Sequence, residues 1–135
     1  MSLSVHSIVE LRPTKVNASA RWLVVLVCAA SAGVHAGLVP EHLRESALLG
    51  AAFALSVVLL SAGALRMRAD ATGAPWVAVV LLGVACCYLL SRTTGLPVLE
   101  PDPEQVDPVG LLTSLAEVVA AVAALSLPRI RKERR

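Results

Sequence analysis

"WLVVLVCAASAGVHAGLV", residues 22–39, contains no charged residue and reads as one helix crossing a lipid bilayer. A hydrocarbon layer of ~30 Å needs about 20 predominantly apolar residues in helical form. Three further stretches approach that requirement, at 47–65, 75–90 and 108–127. The 135 residues are 56% hydrophobic and 16% charged, with a mean hydropathy of +0.73, more apolar than a water-soluble domain of this size can bury. The fold expected is all-α: an antiparallel bundle of four transmembrane helices. A tail at 1–21 precedes it and a basic tail at 128–135 follows, which leaves little chain for any other domain.

Working outward from the spans, the basic residues set the orientation. Ten of the twelve Lys and Arg lie in the N-terminal tail (Arg12, Lys15, Arg21), the second loop (Arg66, Arg68) and the C-terminal tail, leaving Arg44 and Arg92 for the other two loops. Both termini are therefore expected on the cytoplasmic side of the membrane. The opposite face is acidic, with Glu41 and Glu45 in the first loop and Glu100, Asp102, Glu104 and Asp107 in the third. A cation suits that face better than an anion. The tail "RIRKERR", residues 129–135, is read as an anchor at an anionic leaflet, with no nucleic acid as partner.

Val34-His35-Ala36 has a faint likeness to a signal-peptide cleavage site, but the first segment is read as a retained span. Val27 before Cys28 does not fit a lipoprotein box. Cys28, Cys86 and Cys87 are expected as reduced, packing thiols, with copper binding by Cys28 as the alternative. Ala29, Gly33 and Gly37 form a small-residue stripe of the kind that lets helices approach closely in lipid, which points to a homo-oligomer or to another helix of the bundle. Trp22 and Trp76 are placed at cytoplasmic interfaces, and His6 in the polar tail is read as solvated. The third loop, "SRTTGLPVLEPDPEQVDPVG" (91–110), has four prolines and reads as an extended rim.

Much of the outer polarity has a local explanation. Pro40 suits the first position of a helix, with Glu41 in its first turn. Asp107 before Pro108 reads as an N-cap, and Arg92 before Gly95 and Pro97 as a cation in a last helical turn. Two features exceed that explanation. Glu41 and Glu45, four apart, repel unless a cation intervenes, and His42 and Glu45, three apart, can reach a common ion. No H-E-x-x-H box accompanies them.

Glu117 is the stronger feature. Ten residues after Asp107, it lies roughly 15 Å down its helix, near the bilayer centre, where an acid marks a functional site by default. It shares a face with Gly110, Ser114, Ala121 and Ala124, so it looks into the bundle. His35, about 7 Å deep in the first span, is its best partner, because the two side chains lean toward each other. Three readings stay open: a structural His-Glu hydrogen bond, a proton or cation relay, and a metal site. The metal site would draw on His35 and Glu117 with some of Glu41, His42, Glu45 and Asp107, a mixed nitrogen and oxygen set that suits zinc, copper, iron or manganese.

"GVHAGLVPEHLRES" (33–46) together with "SRTTGLP" (91–97) resembles a group of small four-helix membrane proteins from high-GC actinobacteria, and the Ala, Val and Arg bias fits such a source. The resemblance implies a bacterial membrane protein and carries no activity onto these residues. Two functions follow from the residues: binding of a metal ion or other cation near the outer half of the membrane for storage, delivery or passage, or service as an accessory subunit of a larger membrane complex. For catalysis no nucleophile, base and orienting group come together by spacing; a cluster of Ser31, Ser114 and His35 is the nearest approach.

Overall fold

The structure is a computed structural model that describes residues 11–99 and 101–127, with side chains from residue 17 onward. Its elements are α1 (Leu11–Glu45), α2 (Ala47–Ala69), α3 (Ala74–Thr93) and α4 (Pro108–Ser126). Each of the four is long and apolar enough to cross a membrane. The expectations for His6, for Glu100 and for the basic tail 128–135 lie outside the described residues.

α1 runs well beyond the expected span 22–39. Its apolar part, Asn17–Glu45, has 29 residues and is about 44 Å long, more than a hydrocarbon layer spans. Pro40, expected to start the second helix, instead lies inside the first. A proline there has no N–H for the carbonyl of Ala36, yet helices of membrane length tolerate the loss where the rest of the ladder continues. The break comes at Ser46, whose extended backbone leaves the helix and whose Oγ accepts from Leu49 N at 3.4 Å. Serine offers the cap that Pro40 cannot. Glu41 thus belongs to the last turns of α1, not to the first turn of α2.

With one residue between them, α1 and α2 meet closely at the turn. A Cβ on Gly50 would lie 2.8 Å from the Cα of Leu43, so only glycine fits. α1 packs on α2 and α4, and α3 packs on α4 and more lightly on α2, which closes a four-helix bundle. One apolar cluster holds Val24, Cys28, Leu60, Met67, Val77, Leu81, Ala120, Ala121 and Ala124, all essentially buried. Three helices meet at Gly63, where a Cβ would stand in ordinary contact, 3.6 Å from Cys28 of α1 and from Val77 of α3. Leu26, Val58, Val79 and Leu112 point outward, each more than 60% exposed, as a lipid-facing surface requires.

Gly95, with φ of 73°, turns the chain out of α3 into the third loop. The loop is not a free rim. Glu104 N donates to the carbonyl of Ser91 at 2.9 Å, and Arg92 reaches across to Glu104 and, at 3.0 Å, to Asp107. Asp107 caps α4 as its position suggests, accepting from Gly110 N at 2.6 Å. Trp22 and Trp76 are about half exposed.

Candidate functional site

Glu117 sits midway along α4 and is fully buried, with Ala120, Ala121 and Ala124 following on the same face. Ala residues bring α1 close enough for side chains to meet across the interface. On α1, Cys28, Ser31 and His35 recur at helical spacing on the inward face. Ser31, 1% exposed, donates its hydroxyl to Glu117 Oε1. The other carboxyl oxygen, Oε2, is buried and has no hydrogen-bond partner among the described residues. Among those residues, too, no Lys, Arg or His side chain pairs with this acid.

His35 joins the same group one turn further along α1. Its Nδ1 lies 2.9 Å from the carbonyl oxygen of Ser31 and 3.5 Å from the Ser31 hydroxyl. A carbonyl oxygen can only accept, so Nδ1 carries a proton, and in the neutral form of the ring the lone pair then lies at Nε2. The side chains expected to meet, His35 and Glu117, are therefore linked through Ser31. Spacing gives a trace of this, because Ser31 stands four residues before His35 on the face that Val24 and Cys28 occupy.

The remaining candidates form separate groups. His42 donates from Nδ1 to Glu45 Oε2 at 2.8 Å, within the last turn of α1. Phe53 of α2 stands against both histidines, its ring centre 5.4 Å from that of His35 and 4.1 Å from that of His42. Glu41 is exposed. Asp107 has both oxygens engaged, Oδ1 on the amide of Gly110 and Oδ2 on Arg92, whose guanidinium also lies 4.9 Å above the ring of Tyr88. Tyr88 in turn donates to the carbonyl of Asp107 at 3.1 Å. Among the described residues no three His, Cys, Asp or Glu side chains come together in a way that could hold a metal ion.

Of the cysteines, Cys28 packs in the core beside Gly63, whereas Cys86 and Cys87 are exposed on α3. The Ala29, Gly33 and Gly37 stripe faces away from the bundle: nothing lies within 4 Å of where a Cβ on Gly33 or Gly37 would stand.

The sequence dictates less here than the packing does. Phe53 and Ser31 become part of the site only because α2 and α4 close on α1. Comparison with known protein families, with characterised proteins and with solved structures gives no match.

Proposed function

We propose that this chain is a multi-pass protein of a bacterial plasma membrane, its helices antiparallel and both termini cytoplasmic, that binds a cation at Glu117 for passage or delivery. The distribution of Lys and Arg supports the orientation, and the short connections at residue 46 and at 70–73 support the antiparallel course. The likeness of residues 33–46 and 91–97 to small actinobacterial membrane proteins supports the compartment.

The observation that carries this reading is the carboxyl of Glu117, fully buried, with Ser31 on one oxygen and no described residue bonded to the other. An ionised acid at the centre of a membrane helix costs about 3 kcal/mol on insertion scales, which a positive charge at the open oxygen offsets. A proton suits this geometry best. Zinc, copper, iron or manganese would take more donors than one acid and one hydroxyl supply.

Infrared spectroscopy of the purified protein in liposomes tests the reading. The wild type shows the carbonyl band of a buried carboxylic acid that titrates with pH, and Glu117→Gln, which keeps the shape and an acceptor for Ser31, lacks it. Elemental analysis without a histidine tag runs beside it. One equivalent of metal that disappears in His35→Ala overturns the proton as the bound cation, and a carboxyl band unchanged in Glu117→Gln overturns Glu117 as the site.

A second reading, an accessory subunit of a larger complex or a homo-oligomer, is favoured by the open stripe at Gly33 and Gly37. Site-specific crosslinking from Ala36→Cys in native membranes tests it, a self-crosslink marking the oligomer and a larger adduct the complex; a chain that stays single rejects both.

A further inference from the structure

Glu117 is closed off from water on every side, so a charge that reaches it needs a route. The helices packed against α4 are α1 and α3. From α3, Tyr88 and Arg92 are held at the first turn of α4 by Asp107, and Cys86 and Cys87 are exposed. From α1, the groups on the inward face are Cys28, Ser31 and His35, and of these Ser31 hydrogen-bonds to the acid.

Resting on the reading of Glu117 as a proton-binding acid, we propose that His35 and Ser31 form a proton relay connecting Glu117 to the end of α1 that carries His42 and Glu45. The groups already stand in order. His35 donates its Nδ1 proton to the Ser31 carbonyl at 2.9 Å, the Ser31 Oγ lies 3.5 Å from the same nitrogen, and Ser31 holds its hydroxyl proton on Glu117 Oε1. The two imidazole nitrogens point in nearly opposite directions, so the Nε2 lone pair faces away from the bond to Ser31 and receives the incoming proton.

In the step itself, a proton binds at Nε2 and gives an imidazolium. The Nδ1 proton then leaves the Ser31 carbonyl for the Ser31 Oγ, its N–H bond breaking as it transfers, and the Ser31 O–H bond breaks as its original proton passes to Glu117 Oε1. One proton enters at His35, one new O–H bond forms on the carboxyl, and serine ends as it began. The ring is left with its proton on Nε2, and the reverse passage restores the starting tautomer: Glu117 returns its proton through Ser31 to Nδ1 as the Nε2–H bond releases its proton outward. No oxidant, metal or further reactant is involved. The Ser31 hydroxyl is the hand-over because it is the group that contacts both neighbours. Phe53, packed against His35 and His42 alike, limits the turning of either ring, which makes the relay directional in space without adding a titrating group.

The test is a pH jump on the full chain in liposomes, with the Glu117 carboxyl band followed in time. Expected is a rate about a hundredfold lower in His35→Gln than in the wild type, with the same titration midpoint, since glutamine can keep the bond to the Ser31 carbonyl but cannot carry the proton. Ser31→Ala slows the rate comparably and Ser31→Thr, which retains a hydroxyl, restores it. A wild-type band that titrates while His35→Gln follows the jump equally fast overturns the relay and leaves the proton-binding reading intact. A wild-type band that never titrates overturns both.

Discussion

The apolar cluster around Leu60 and Met67 and the polar region around Ser31 and Glu117 are held together by different forces. In the first, Val24, Cys28, Val77, Leu81 and the alanines of α4 interlock, and Gly63 of α2 lies between α1 and α3. In lipid such a region gains from dispersion contacts at close range, because apolar side chains are equally content against lipid tails. In the second, few large side chains are buried, and contact across α1 and α4 depends on one hydroxyl and one carboxyl. The difference teaches that this bundle can be closely packed in one region and still keep a polar group with a free position in another. A buried acid with an open oxygen would be a defect in the apolar cluster; in the polar region it is a place for a charge.

Substitutions can break or sharpen that contrast. The largest effect is expected for Leu60→Ala, which leaves a cavity in the apolar cluster and should cost about 3 kcal/mol in reversible denaturation in detergent. A loss under ~1 kcal/mol would mean that the cluster is no tighter than the polar region. Gly50→Ala should cost about 2 kcal/mol, because the added methyl meets the backbone of Leu43 and must open the turn.

In the polar region, Glu117→Ala should cost about 2 kcal/mol, since the Ser31 hydroxyl loses its acceptor, and Glu117→Gln clearly less. Equal losses would assign Glu117 to packing alone. Arg92→Ala releases Glu104 and Asp107 together, and the measurable result is faster proteolysis between residues 94 and 107, with about 1 kcal/mol lost in total. The smallest effect belongs to Gly33→Ala: with open space around it, the monomer should keep its stability within ~0.5 kcal/mol. Any larger destabilisation of the native material would show that another chain covers this stripe.

Part of the site is legible in the residue pattern. Asp107 as a cap follows from an acid before proline at the start of an apolar run, and the inward aim of Glu117 follows from its helical spacing to Ala121 and Ala124. The course of the chain at Pro40 does not. Proline marks both helix starts and tolerated interior positions in membrane-length helices, and the neighbouring Ser46 cap decides between them only once the turn has formed. The acids of the third loop are ambiguous for a related reason: a ligand set and an arginine clasp use the same residues, and Arg92 lies twelve residues from Glu104 and fifteen from Asp107.

By itself the sequence determines four helices of membrane length, because an apolar run of that size has few other ways to satisfy its backbone, and it places one acid, Glu117, midway along the last of them. Only the tertiary structure decides which side chain answers that acid. Helical periodicity assigns each residue to a face of its own helix but says nothing of how far one helix slides along the next. The register of α1 against α4 puts Ser31, and not His35, against Glu117, and leaves the second oxygen open.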